Sequence, residues 1–327
     1  MRLLIVRLSA VGDIIHALPL AENAGRAGAE VGWVVERAYA GLLEGNPAIA
    51  RIFPADTRRW RRTPLSAQSR LEIRRLRASL REFRADATID AQGLWKSALL
   101  ARLAGAPVVS LGARDRRERT SSLLVDRPVA LESGTPHVVD QNLALLGPLS
   151  IPVTSPAPDA RYLLAAPRAE ADRFAAGLPH PFALFHPGAS RADKAWGEES
   201  YAALATGLEE RAGLFPAVSW GPGDEARAAR LVELIPGAAR IPQLDFAGLA
   251  HVAARAALFV GGDTGPVHLA DALGVPTLAL FAPSASKRNV PARNRPYGGA
   301  WLRYDQATAV ETVLTKAIEA ARRSASR

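Results

Sequence analysis

Three short segments carry side chains suited to group-transfer chemistry. The first is Ser9-Ala10-Val11-Gly12-Asp13, where an apolar run ends and a helical pattern begins. A glycine just before a helix allows close backbone approach, and the N–H groups of a first helical turn attract anions. Asp13 therefore sets a carboxylate at a strand-end crevice, although an aspartate that only caps the helix would occupy the same place. The second segment is Gly261-Gly262-Asp263-Thr264-Gly265-Pro266-Val267-His268. Two glycines, a threonine and N–H groups at a helix start make a cradle for a pyrophosphate, with His268 about one turn further in. A tight capped turn would use the Asp and Thr but has no need of the glycine pair. The third is His186-Pro187-Gly188-Ala189-Ser190-Arg191-Ala192-Asp193-Lys194-Ala195-Trp196, which also trails an apolar run. Lys194 can place a positive charge beside a departing diphosphate, as a metal would, though a loop lysine is otherwise ordinary surface.

A fourth feature is basic rather than catalytic. Between Arg51 and Arg84 stand eleven arginines against Asp56, Glu72 and Glu82, so most of the chain's net charge of +9 lies in one short segment. Arg58-Arg59-Trp60-Arg61-Arg62 precedes a helical pattern whose apolar face is Ile73, Leu76, Leu80 and Phe83. Arg70, Arg74, Arg77, Arg81 and Arg84 share a different face of it. Such stacked like charges cost a few tenths of a kcal/mol (roughly) per pair unless an anion compensates. The pattern points to an acidic partner such as a phosphorylated lipid, a nucleic acid or an anionic membrane. An arginine stripe can also be no more than a solvated face.

Those residues must be held by something, and the chain has the elements to do it. Its 327 residues suffice for two domains, each with its own core. Cysteine is absent, which excludes disulfides, thiolate nucleophiles and Cys-based zinc sites. The six histidines show no metal-ligand spacing, and no metal or cofactor is expected. Arg7 and Asp13 interrupt the N-terminal apolar run too early for a signal peptide, and no stretch reaches the length of a membrane span. A cytoplasmic protein is the expectation.

Short apolar runs alternate with helical patterns, as in α/β folds with parallel sheets. Leu3–Leu8, Val31–Val35, Thr88–Asp90 and Pro107–Leu111 read as strands of a first series. Phe182–His186, Ala217–Trp220, Ala257–Val260 and Thr277–Phe281 read as a second. Helices are expected over Ile14–Arg26, Ser69–Phe83, Glu198–Ala212, Asp224–Leu234, Phe246–Arg255 and Val267–Leu273. Pro152, Pro156, Pro158 and Pro167 mark the linker. Two doubly wound, Rossmann-like domains facing across a cleft follow, residues 1–160 and 161–327, with the C-terminal helix expected to pack back on the first. Ligands of such sheets bind beyond the carboxyl ends of the strands. No G-x-G-x-x-G follows a predicted strand, so the dinucleotide fingerprint is missing.

Taken in order, Gly12-Asp13-Ile14-Ile15-His16-Ala17-Leu18-Pro19, Ile89-Asp90-Ala91-Gln92-Gly93-Leu94-Trp95-Lys96-Ser97 and Asp263-Thr264-Gly265-Pro266-Val267-His268 resemble the lipopolysaccharide heptosyltransferases, glycosyltransferase family 9 of GT-B type. The resemblance spans nearly the whole chain. Trp33-Val34-Val35-Glu36 and Arg58-Arg59-Trp60-Arg61 are similar to the members that add the first heptose. It implies inverting, metal-independent transfer of L-glycero-D-manno-heptose from ADP-heptose, bound by the second domain, to a Kdo residue of Kdo2-lipid A, bound by the first. By the same resemblance Asp13 is the base that takes the acceptor hydroxyl proton. Lys194, with the N–H groups of Thr264 and Gly265, stabilises the leaving diphosphate. Gly12, Ser190, Glu225, Leu244, Asp263 and His268 match donor-binding positions, Glu225 near the ribose and Leu244 near the adenine. Arg58, Arg59, Arg61 and Arg117 match acceptor-binding positions, where forked guanidinium contacts suit carboxylates and phosphates. A peripheral place on the inner face of the inner membrane, against anionic lipid, goes with such an acceptor.

Two other readings stand beside this one. A family 9 enzyme with a different, already heptosylated acceptor would share the Gly-Asp and Asp-Thr-Gly segments but lack the full Arg58–Arg62 cluster. A nucleic-acid-binding protein would explain the arginines alone. It leaves the glycine loop, Asp13 and Lys194 without a purpose, and 6% aromatic residues offer few stacking platforms. No nucleic-acid partner is expected.

Overall fold

The computed structural model describes residues 1–132, 134, 137–188, 196–282, 291–305 and 308–324. The chain divides into two compact units, Met1–Pro158 and Asp159–Arg327. Each unit is built on one six-stranded parallel sheet. The first comprises β1 (Arg2–Val6), β2 (Glu30–Glu36), β3 (Arg51–Ala55), β4 (Ala87–Asp90), β5 (Val108–Leu111) and β6 (Arg127–Val129), in the order β3-β2-β1-β4-β5-β6. The second comprises β7 (Phe182–His186), β8 (Phe215–Val218), β9 (Ala239–Arg240), β10 (Leu258–Gly262), β11 (Thr277–Phe281) and β12 (Ala300–Arg303), in the order β12-β11-β10-β7-β8-β9. Counted from each unit's own first strand these are the same 3-2-1-4-5-6 order. In such a sheet the winding reverses between the first and fourth strands, leaving a crevice at their carboxyl ends.

The central strands form because they are apolar on both faces. Leu3, Leu4, Ile5 and Val6 of β1 are fully buried, as are Phe182, Ala183, Leu184 and Phe185 of β7. Covered on both sides by helices, such strands carry unbroken hydrophobic runs. The strands that sequence patterning does not show are β3, β6, β9 and β12, which are the four edges. Edges are half-exposed and tolerate proline: Pro54 lies in β3, Pro128 in β6, and β9 is only two residues long.

The helices of the first unit are α1 (Val11–Ile15), α2 (Leu18–Arg26), α3 (Thr57–Arg62), α4 (Ala67–Phe83), α5 (Trp95–Leu103) and α6 (Val138–Leu143). Those of the second are α7 (Ala169–Ala176), α8 (Glu198–Ala212), α9 (Glu225–Leu234), α10 (Phe246–Ala253), α11 (Gly265–Ala272), α12 (Pro291–Asn294) and α13 (Val310–Ser324). The expected helix Ile14–Arg26 is two helices: the turn at His16 and Ala17 lets Pro19 fall in the first turn of α2, where its missing N–H costs nothing. In α4 the apolar residues Leu76, Leu80 and Phe83 go inward, and Ser66 caps the start by accepting from Ser69 N–H at 3.1 Å. Together with Leu100, Ala101 and Ala104 at α5 they cover Leu4, Val6, Val34 and Phe53, so α4 and α5 lie on the same face of the first sheet.

The C-terminal helix α13 buries Val313, Leu314, Ala317 and Ala320 in the second unit's core. The fit is close at one glycine. Leu314 Cδ2 comes within 2.6 Å of where a β-carbon on Gly207 of α8 would stand, so the glycine lets the two helices close up. Among the described residues no helix is long and apolar enough to cross a membrane.

One buried ion pair braces the first sheet at its fourth strand. Asp90 Oδ2 and Arg116 Nη2 are 2.7 Å apart with both side chains fully buried. Asp90 Oδ1 also accepts from Gln92 N–H (3.1 Å) and Gly93 N–H (3.2 Å), and Arg116 Nε reaches Ser121 Oγ at 3.0 Å. Removing one partner leaves the other charge buried and uncompensated. Arg116→Met is therefore expected to cost about 3–5 kcal/mol in urea unfolding of the unit, and Asp90→Asn added to it to restore part of that loss.

Candidate functional site

The first unit's crevice lies where β1 and β4 end. β1 runs into Gly12 and Asp13 of α1, and β4 into Ala91, Gln92 and Gly93. Asp13 does what the modest reading of its position expects: its Oδ2 accepts Ala10 N–H at 3.2 Å, reaching back to the residue before the helix. It also does more. Its Oδ1 lies 2.6 Å from Arg7 Nη2, and 39% of the aspartate side chain remains exposed against 8% of the arginine. The guanidinium thus orients one carboxylate oxygen from within while the group stays open to a reactant.

Arg7 Nη1 also donates to the carbonyl of Ala91 on the neighbouring loop. Gln92 ties the same loops from the other side, its Oε1 accepting Leu8 N–H at 2.8 Å and its Nε2 donating to Ser9 O at 3.3 Å. Gly93 allows the turn, with φ of +71°, and its α-carbon faces the backbone of Arg116 and Arg117. Arg7 and Gln92 carry no role in the reading of the sequence. The available signal for Arg7 is a lone charge at the end of a doubly covered strand, where only a partnered charge is tolerated.

The same unit gathers cations. Arg58, Arg61 and Arg117 lie close enough to Lys96 that, after burial, their charges push its ammonium below the ordinary lysine range. Glu36 Oε1, 3.9 Å away, opposes them. Lys96 belongs to this group although sequence reasoning named only the arginines. Arg58 Nη2 meets Tyr39 Oη at 3.4 Å. Among the described residues neither Arg61 nor Arg117 has a carboxylate within salt-bridge reach. Arg59 stands in the same segment with carboxylate partners of its own. It is paired with Asp56 at 3.1 Å and with Glu72, whose carboxyl is held low first by the Trp60 indole N–H and then by Arg59, so it fastens α3 to α4.

In the second unit the crevice lies between β7 and β10, where His186 pairs in register with Gly261. Of the donor residues expected here, Ser190 and Lys194 lie outside the described residues. Gly188 follows β7, and a β-carbon on it would meet Asp224 Oδ2 at 2.5 Å and His186 Nε2 at 3.0 Å, so any larger residue must displace them. Arg227 Nη1 donates to Pro187 O at 3.2 Å and holds the start of this loop. Asp263 and Thr264 follow β10. Thr264 makes no side-chain cap, so the N–H groups at the start of α11, Gly265 among them, face the strand end. His268 Nε2 stands 3.4 Å from Asp263 Oδ1. Glu225 opens α9 after β8, exposed and 3.8 Å from Arg240 Nη1. Leu244 follows β9, half-buried beside Gly248. Asp263, Thr264, Glu225 and Leu244 all follow carboxyl ends of strands, on one rim of the sheet. Among the described residues no group of three His, Asp or Glu is placed to hold a metal ion.

Residues 73–315 match the model of the family described as Glycosyltransferase family 9 (heptosyltransferase). The chain is 38% identical over 293 residues to a lipopolysaccharide heptosyltransferase 1 of Pseudomonas aeruginosa, covering 87% of this chain and 79% of that one. It superposes on the structure of the Escherichia coli heptosyltransferase WaaC with ADP at a TM-score of 0.82 and 30% identity, over 98% of this chain and all of the other. The same enzyme with ADP-2-deoxy-2-fluoro heptose gives a TM-score of 0.77, covering 98% of both chains.

His186 adds a pH dependence of its own. Fully buried, with Nδ1 3.0 Å from Ser219 Oγ, its imidazole is pushed down to about 4 by desolvation. The unfolded chain takes up that proton near 6.5 and the folded one only near 4, so this contribution is complete above pH 6.5 and lost as pH falls toward 4. Its size is ~3 kcal/mol at most. Thermal melts between pH 7.5 and 4.5 should show stability falling with pH, and His186→Asn should flatten that part of the profile.

Proposed function

The chain belongs to glycosyltransferase family 9, the heptosyltransferases, with the GT-B fold of two parallel sheets, and we propose that it moves a single heptose from ADP-heptose to a Kdo residue of Kdo2-lipid A with inversion. It is an enzyme of lipopolysaccharide core synthesis in this reading. The observation that carries the mechanism is the half-open Asp13 carboxylate, oriented by the buried Arg7. Asp13 takes the proton of the acceptor hydroxyl while that oxygen forms its bond to the anomeric carbon. The bond from that carbon to the diphosphate breaks on the opposite face, and ADP leaves with the electron pair.

Charge growing on the departing diphosphate is met by the N–H groups of Thr264 and Gly265 at the head of α11 and by Lys194. Gly12, Ser190, Asp263 and His268 are assigned to the sugar and phosphates, Glu225 to the ribose and Leu244 to the adenine. The glycine turn and the family membership support that assignment. On the acceptor side, Arg58, Arg61 and Arg117, with Lys96 among them, suit the carboxylates and phosphates of Kdo2-lipid A. Arg59 acts there by holding α3 in place. The exposed arginines of α4 face anionic lipid, which sets the enzyme peripherally on the inner face of the inner membrane.

Mass-spectrometric transfer with purified protein, ADP-heptose and EDTA tests the acceptor. One heptose added to Kdo2-lipid A is the expected product. Product only on an already heptosylated acceptor would assign the enzyme to the other branch of the family.

A further inference from the structure

The first unit carries an exposed apolar ridge that the transfer reaction does not use. Trp95, Leu99 and Leu123 are 39%, 54% and 79% exposed. Leu123 belongs to a short 3₁₀ turn, Arg119–Leu124, that runs beside α5. Two sets of bonds fix the register of the pair. At the start of α5, Trp95 N–H donates to Glu118 and its indole Nε1 to Thr120 Oγ1 at 3.1 Å. At its end, Arg102 makes a forked pair with Asp126 at 2.8 and 2.9 Å. Leu99 is one α-turn on from Trp95, and Leu123 one 3₁₀ turn on from Thr120. By this register the two leucines fall at similar heights on neighbouring elements, each exposed, with the exposed indole one turn away.

Apolar side chains this large are seldom left in a row on a soluble surface without a partner. What lies around the strip identifies the partner's chemistry. Lys96, Arg58, Arg61 and Arg117 cluster at the Trp95 end. On the same face of the sheet, α4 turns Arg70, Arg74, Arg77 and Arg81 outward, all exposed. The first unit holds 22 Lys and Arg against 15 Asp and Glu, and the second 19 against 17, so +7 of the +9 is on the unit with the ridge. Apolar prongs set among unneutralised guanidinium groups suit a surface that is anionic at its boundary and hydrocarbon beneath.

We propose that the outer side of α5 and the Arg119–Leu124 turn is a lipid-insertion ridge, with Trp95, Leu99 and Leu123 entering the headgroup–acyl boundary of an anionic leaflet while the arginines of α4 hold its headgroups. This rests on the reading of a lipid-bound acceptor given above and adds the apolar half of the contact to the basic half. Electrostatic attraction alone would disappear at high salt. An inserted ridge leaves a residue of binding that salt does not remove.

Flotation with phosphatidylglycerol and phosphatidylcholine vesicles tests it on the full chain. The wild-type protein should bind the anionic vesicles and scarcely the neutral ones. Leu99→Glu with Leu123→Glu should lower binding at least tenfold, while heptose transfer to a deacylated, soluble acceptor stays within twofold. Binding unchanged by both substitutions would overturn the ridge and point to a protein partner for it. A second measurement needs no charged variant: brominated acyl chains should quench the part of the fluorescence that Trp95→Phe removes, and absence of that quenching also overturns the proposal. If the wild-type protein transfers nothing to the deacylated acceptor, the catalytic reading fails, and the vesicle data still decide the ridge.

Discussion

A guanidinium lies buried at the end of the most central strand of the first sheet, and the geometry of the site follows from how that charge is answered. Unpaired, Arg7 would cost several kcal/mol (on the order of) to bury. It is answered by Asp13 from the following helix and by the carbonyl of Ala91 from the neighbouring strand's loop. Both loops at the crevice are thereby tied to one side chain, and the carboxylate is fixed with one oxygen engaged and the group still open to solvent. An aspartate that merely capped α1 would need only Ala10 N–H. The arginine turns a cap into an oriented, half-open carboxylate.

The fold supplies the same crevice twice, and the chain uses the two differently. The first unit places a carboxylate after β1 and a set of cations after β3, β4 and β5. The second places glycines and helix-start N–H groups at the ends of β7 and β10, where a negative ligand gains from dipoles rather than from side-chain charge. Charge follows this division, since nearly all of the chain's basic excess is on the first unit. The proposed acceptor, rich in carboxylates and phosphates, and the proposed donor, joined through one diphosphate, call for that kind of difference.

How much of this the sequence discloses depends on burial. The doubly covered strands and helices such as Glu198–Ala212 are legible because packing on both faces, or along one stripe, imposes a pattern. The edge strands β3, β6, β9 and β12 escape because half-exposed backbone imposes none. Asp13 and the Gly261–His268 turn are legible because special residue types stand where a strand meets a helix. Arg7 and Lys96 escape for the opposite reason: each is an ordinary basic residue until long-range pairing brings it to Asp13 or to Arg58, Arg61 and Arg117. Arg59 looks like its neighbours in the cluster, and its pairing with Asp56 and Glu72 spans up to thirteen residues. The close approach of α13 to α8 at Gly207, about a hundred residues earlier, is signalled by no local pattern.

The central claim is that Asp13 is the base and that Arg7 acts through it. Single-turnover transfer measured beside ADP-heptose affinity, for Asp13→Ala and Arg7→Met, tests this most directly. Asp13→Ala should lower the rate about a thousandfold, within the range that general-base catalysis contributes, and Arg7→Met by a smaller factor that Arg7→Lys recovers in part. Donor affinity should stay within twofold throughout. Turnover surviving in Asp13→Ala, or donor affinity collapsing in step with rate, would contradict the account.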